Sequence, residues 1–259
     1  MCDRIDMKTR RFQFSTRHLM IAIAVMAVVF NLGLLYWNLT AQRRKSDRMI
    51  ASFLALGAHW SGEKRFDPVP PVIQLAVGQV TDAELARNPL PDLPNLRSFS
   101  IGSTLVTDVG LKYVDFTKMP NLESLNLSGT RITDSGLSRL GLERLAGLKT
   151  ISLDRTGITD AGLVHLKGLQ SLSTISLANT AVTDAGLRHL TVLNTLEHLY
   201  LNGTDVTEHG LPLLKALPHL KTVTISKSAT SYDGEERLRQ LLPGVGINSD
   251  RTVLDRVGP

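Results

Sequence analysis

From Leu96 onward the apolar positions keep one rhythm. Short alternating runs, among them Leu122-Glu-Ser-Leu-Asn-Leu127, Leu148-Lys-Thr-Ile-Ser-Leu153, Leu172-Ser-Thr-Ile-Ser-Leu177 and Leu196-Glu-His-Leu-Tyr-Leu201, predict strands with one buried face, because successive side chains of a strand point to opposite sides. Each run is followed by a fixed phrase, Thr-x-[Ile/Val]-Thr-[Asp/Glu]-x-Gly-Leu. The copies are Thr104–Leu111, Thr130–Leu137, Thr156–Leu163, Thr180–Leu187 and Thr204–Leu211, spaced 26, 26, 24 and 24 residues apart. Self-similarity at such a period predicts a stacked-repeat solenoid and not a globular enzyme core.

Each letter of the phrase has a physical reason. The first Thr (Thr130, Thr156, Thr180, Thr204) falls where the strand turns inward, and a buried hydroxyl there can satisfy backbone groups of the turn. The second (Thr107, Thr133, Thr159, Thr183, Thr207) suits a helix N-cap, and the acid after it (Asp108, Asp134, Asp160, Asp184, Glu208) suits a helix first turn, where negative charge meets the dipole. Gly lets the start of the helix pack tightly, and Leu137, Leu163 and Leu187 then bury the helix against the stack. The longer units are expected to carry a longer convex segment.

Taken together the units read L-x-x-L-x-L-x-x-T-x-I-T-D-x-G-L-x-x-L, which closely resembles the leucine-rich repeat family, in particular the class with Thr, Cys or Asn at the ninth position and a helical convex side. The resemblance runs from about Val72 to Ile247. It takes in a degenerate first copy at Ile73-Gln-Leu75 and Val80-Thr-Asp82, and a last one at Leu220–Ile225 with a helix-like Glu235–Leu242. Leu242-Pro-Gly-Val-Gly-Ile247 resembles the strand that closes such arrays. The resemblance implies an α/β solenoid of about seven 24–26-residue repeats, with a parallel concave sheet and convex helices.

The N-terminal part is different. Leu19–Trp37 has no charged residue and predicts one transmembrane helix, about 28 Å long at ~1.5 Å per residue. Tyr36 and Trp37 mark one interface, Arg17 and Arg43-Arg44-Lys45 flank the span, and no good small-x-small cleavage site follows, so an uncleaved anchor is expected. A short basic tail before a first span usually stays in the cytoplasm, which places the repeats outside it. The expected organisation is a basic tail (1–18), the span (19–37), a juxtamembrane and capping segment with a Pro-rich linker (38–71), the repeats (72–247) and a tail (248–259). Ser46–Ala58 has helical apolar spacing and suits a cap on the open end of the stack.

Charge follows this division. The pI near 9.5 suggests nucleic acid until the charges are located: residues 1–48 carry a net +6, and the rest carries −1. A nucleic-acid groove needs clustered cations on the folded part, so no nucleic-acid partner is expected. Cys2 is the only cysteine, which excludes a disulfide framework and a cysteine metal site. The column of acids lacks the Gly-Gly-x-Gly-x-Asp run of calcium repeats, and His165 with His189 lacks a third ligand, so no metal is expected. No Gly-rich phosphate loop, G-x-S-x-G or H-E-x-x-H is present, and no cofactor or enzymatic activity is expected.

What varies is the outward strand face. Its columns read Ser98, Ser124, Thr150, Thr174, His198, Thr222; then Ser100, Asn126, Ser152, Ser176, Tyr200, Thr224; then Gly102, Ser128, Asp154, Ala178, Asn202, Ser226. This is a small, hydroxyl-rich surface, and hot spots favour Tyr, Trp and Arg. The candidate contacts for a protein or peptide partner are His198 and Tyr200 with Arg97, Asn126, Asp154, Arg155, Asn202 and Lys221. The expected function is a non-catalytic, membrane-anchored interaction module. The alternatives are a self-associating envelope component and a substrate-recruiting adaptor.

Overall fold

A computed structural model describes residues 72–74, 80–90, 92–228 and 230–249. The chain divides into two compact units, residues 1–47 and 48–259, and everything described lies in the second. The expected span Leu19–Trp37 and the expected capping helix Ser46–Ala58 lie outside the described residues. Among the described residues no helix is long and apolar enough to cross a membrane.

Among the described residues, eight strands of three residues each form one parallel sheet in chain order: β1 (Val72–Gln74), β2 (Ser98–Ser100), β3 (Ser124–Asn126), β4 (Thr150–Ser152), β5 (Thr174–Ser176), β6 (His198–Tyr200), β7 (Thr222–Thr224) and β8 (Gly246–Asn248). Seven repeats plus a closing strand were expected, and β8 is that strand. β1 begins one residue before the expected Ile73. The register is constant. Phe99, Leu125, Ile151, Ile175, Leu199 and Val223 stand side by side, each 0% exposed, so the middle residue of each strand from β2 to β7 enters one continuous core.

The other side of the stack is helical, because parallel neighbours need a crossover between them. Short helices α1 (Asp82–Arg87), α2 (Asp108–Leu111), α3 (Asp134–Arg139), α4 (Asp160–Leu163) and α5 (Asp184–Leu190) each begin after a Thr N-cap. The 26-residue unit around α3 adds a separate 3-10 turn, Leu142–Arg144, entered through Gly141 at φ 61°. In the 24-residue unit α4 runs straight into Val164–Leu166. The two extra residues therefore lengthen the convex segment, as expected. The stack ends on α6 (Tyr232–Leu241), which starts three residues before the expected Glu235 because Ser231 caps it. Glu235 takes the position that Leu holds in the other units and is 2% exposed, with the Ser249 hydroxyl donating to its carboxylate at 2.8 Å.

The phrase itself works differently from the sequence expectation in one respect. The first Thr behaves as expected: the hydroxyls of Thr104, Thr130, Thr156, Thr180 and Thr204 donate to the carbonyls of Ile101, Leu127, Leu153, Leu177 and Leu201 at 2.6–2.8 Å. The acid, however, is more than a helix-dipole partner. Asp82, Asp108, Asp134, Asp160 and Asp184 each accept both the backbone N–H and the hydroxyl of the second Thr one repeat further on (Thr107, Thr133, Thr159, Thr183, Thr207), at 2.6–2.9 Å. Glu208 does the same for Ser231 at 3.2–3.3 Å. Every junction thus carries one carboxylate clasp. The Gly is required by the same clasp: a Cβ on Gly110, Gly136, Gly162, Gly186 or Gly210 would overlap the carboxylate of the preceding repeat.

Candidate functional site

Strands β2 to β6 present their first and third residues half-exposed on the outward face of the sheet, the face that the repeat pattern predicts to be concave. On β2 to β5 these are Ser98 and Ser100, Ser124 and Asn126, Thr150 and Ser152, and Thr174 and Ser176. Only β6 presents two rings, His198 and Tyr200. The register sets them between Thr174 and Ser176 on one side and Thr222 and Thr224 on the other. An aromatic pair thus rises from a floor of small hydroxylated side chains.

Of the eight residues expected to form the site, the structure brings four together. Asn202 and Lys221 flank His198 and Tyr200 on adjoining units. Arg97 does not join them: it directly precedes β2, four strands away, about 19 Å at ~4.8 Å per strand. Arg97 and Lys221 are also partnered. They belong to a row of charges just before the strands, where Arg97 pairs with Glu123 at 2.6 Å, Lys149 with Glu123 at 2.8 Å, and Lys221 with Glu197 at 2.8 Å. The Lys221 hydrogen bond holds the Glu197 carboxyl below the ordinary carboxylate range, and Lys149 does the same for Glu123. His198 Nε2 lies 3.8 Å from the Glu197 carboxylate with its side chain 36% exposed. Glu197 therefore serves both neighbours.

Asn126, Asp154 and Asn202 are occupied by the turns that leave the strands. Asn126 Oδ1 accepts the Ser128 N–H, and Asn202 Oδ1 accepts the Ser226 N–H of the next unit, both at 2.9 Å. Asp154 Oδ1 accepts the Ala178 N–H at 2.8 Å and the Ser176 hydroxyl at 2.5 Å. These bonds stabilise a left-handed residue that recurs in each unit: Ser103, Gly129, Arg155, Asn179, Gly203 and Lys227, with φ between 53° and 68°. Arg155 is exposed at this bend, two units from His198, and bears a backbone conformation that costs a non-glycine residue roughly 1–2 kcal/mol.

One residue of the site was in the columns but not among the candidates. Thr224 is 8% exposed, whereas the third strand residue is half-exposed on β2 to β6. It lies in register between Tyr200 and Asn248, and its buried hydroxyl has no hydrogen-bond partner. Nothing in the letter Thr signals this, since the same residue type at Thr150 or Thr174 is half-exposed. Only the packing of β6, β7 and β8 reveals it. Among the described residues no three His, Cys, Asp or Glu side chains gather as for a metal ion. The column of repeat acids is spent on the clasps, and His165 and His189 sit on the convex side.

A family model described as Leucine Rich repeat matches residues 118–141. Those residues span β3 and α3, one whole period, and the same register, cap and clasp recur in the units on both sides. A leucine-rich repeat is thus matched in one unit by sequence, and the units beside it share that unit's register and clasp. Among solved structures, internalin C2 of Listeria monocytogenes is similar at 20% identity, with a TM-score of 0.47 over 70% of this chain and 80% of that one. A leucine-rich-repeat protein of Leptospira interrogans is similar at 20% identity and TM-score 0.45, over 60% of this chain and 38% of that one. A plant peptide hormone receptor solved in complex with RGF2 is similar at 17% identity and TM-score 0.41, over 62% of this chain and 25% of that one. The chain thus spans well under half the length of the last two. No curated protein matches the chain.

Proposed function

We propose that the repeat array is a non-catalytic interaction module that takes a protein or peptide partner on the C-terminal half of its concave face, centred on His198 and Tyr200. The observation that carries this reading is the pairing of the two rings on β6 with the unpartnered Thr224 hydroxyl beside them. A buried hydroxyl left without a partner costs roughly 1–3 kcal/mol, which a bound peptide group recovers by turning the neighbouring Tyr200 ring aside. Tyr supplies apolar area and a polar tip at low entropic cost, which suits it as an anchor. The remainder of the face, with its side chains tied into turns and ion pairs, is complementary surface.

The same proposal includes the anchor: Leu19–Trp37 tethers the chain to a membrane, with the repeats on the non-cytoplasmic side. Protease shaving of intact cells tests the side, since digestion of the repeats without lysis is expected. For the concave face, the full-length chain is used for affinity capture from an envelope extract, and each captured species is titrated against the His198→Ala/Tyr200→Ala variant. The variant is expected to weaken binding by at least roughly tenfold, as hot-spot residues do. Equal retention by both chains sinks the assignment.

A further inference from the structure

The convex side of the last unit holds a groove of about 460 Å³, remote from the strand face. It opens between the 3-10 segment Leu211–Ala216 and helix α6. Pro212, near the start of that segment, offers no N–H, and the segment winds as a 3-10 helix where the units before it begin as α-helices. Side-chain rows at three residues per turn do not interlock with those of an α-helix, so a gap is left at this junction. Its floor is apolar: Leu211 and Leu238 are each 1% exposed, and Leu241 packs partly buried beside them.

Two cations border this floor, Lys215 from one wall and Arg237 from the other, both exposed. Neither is in an ion pair among the described residues, in contrast to Arg239 on the same helix, which meets Glu235 and Glu236. The one carboxylate in the lining is Glu208, which already accepts from the Ser231 N–H and hydroxyl. Hydrogen bonds from its own backbone N–H and from Ser231 hold its carboxyl below the ordinary range, so it stays anionic and repels acids from its end.

We propose that this groove binds an acidic peptide segment of a partner protein, with apolar side chains against Pro212 and Leu241 above the buried Leu211 and Leu238, and carboxylates against Lys215 and Arg237. The volume lies within the roughly 300–1,000 Å³ of ligand pockets and accommodates a few side chains. A peptide is favoured over a lipid surface because the floor lies between two helices, where a flat bilayer meets only the rim. The binding is separate from that of the concave face and stands or falls independently of it.

The test is fluorescence anisotropy on the full-length chain in mild detergent, with a short labelled peptide of alternating Leu-Asp-Phe-Glu units and a counterpart carrying Lys for each acid. Saturable binding of the acidic peptide alone is expected. It should weaken by roughly tenfold or more in Lys215→Glu/Arg237→Glu and be unchanged in His198→Ala/Tyr200→Ala. Comparison of the two peptides on the unaltered chain keeps the test independent of any variant's folding. The proposal is overturned by absence of saturable binding, by equal binding of the Lys peptide, or by loss of binding in the concave-face variant. Preferential capture of phosphatidylglycerol vesicles overturns it too, as does self-association of the chain that the charge reversal abolishes.

Discussion

The clasp edge and the concave face are built from the same kinds of residue, Thr, Ser, Asp and Asn, yet they use them differently. Along the clasp edge every hydroxyl and carboxylate is committed to the neighbouring repeat in a geometry that repeats within 0.3 Å from Asp82 to Asp184. On the concave face the pattern changes from strand to strand, and at β6–β7 it leaves two rings half-exposed and one hydroxyl unpaired. Polarity alone therefore says little about function. What distinguishes a structural polar group from an available one is whether a partner inside the fold has already taken it.

The sharpest way to break this contrast is at the tightest clasp. A Cβ on Gly210 would overlap Oδ1, Cγ and Cβ of Asp184, so turning the carboxylate aside does not relieve it. Gly210→Ala is expected to destabilise by about 2–3 kcal/mol, as overpacking does, measured by urea denaturation. The cost should fall in part in an Asp184→Ala background, since Oδ1 and Cγ are then absent while Cβ, at 2.8 Å, remains. An additive result would refute the clasp as the reason for the glycine.

Asp160→Ala removes the acceptor of the Thr183 N–H and hydroxyl, and the expected loss is about 1–2 kcal/mol because both groups are only partly buried. In a stacked array the damage should be local, with hydrogen exchange faster around Thr183 and little changed near β2. The concave face should respond in the opposite sense. Thr224→Val removes an unpartnered buried hydroxyl at nearly constant shape, so the free chain is expected to gain up to about 1 kcal/mol while partner binding weakens. Lower stability in a thermal melt would show that the hydroxyl is satisfied in the free chain.

The smallest effect concerns the charge row. Glu197 and Glu123 have depressed carboxyl pKa values, so their contribution is present above the unfolded value near 4.5 and is lost as pH falls through the lower folded value. Acid should therefore loosen the array slightly below about pH 4.5, and Glu197→Gln should reduce that dependence. Both groups are half-exposed and reached by solvent ions, so high salt should erase the difference.

Much of the fold was legible in the chain. The Leu-x-x-Leu-x-Leu runs located β3 to β7, and the second Thr of the phrase located the starts of α2 to α5, because burial periodicity and capping act over a few neighbouring residues. Thr207 does not cap a helix, since the segment after it is a 3-10 helix that starts at Leu211 behind Gly210. Less of the site was legible. Arg97 and Lys221 read as free cations, yet each is held by a glutamate in the preceding or following unit. Asn126, Asp154 and Asn202 read as available, yet each serves a turn. Those partners lie 22–26 residues away in sequence, or depend on a bend whose left-handed φ no single letter announces.

The repeated phrase by itself determined the period, the parallel stacking and the identity of the buried leucines, because each is set by interactions within one unit copied along the chain. Only the tertiary structure decided which polar groups are committed. The Asp of one repeat closes on the Thr of the next, Glu197 divides itself between His198 and Lys221, and Thr224 is enclosed between Tyr200 and Asn248. Each of these depends on the contact between units, and a hydrogen bond or an ion pair exists only where the stacking brings its two ends within reach.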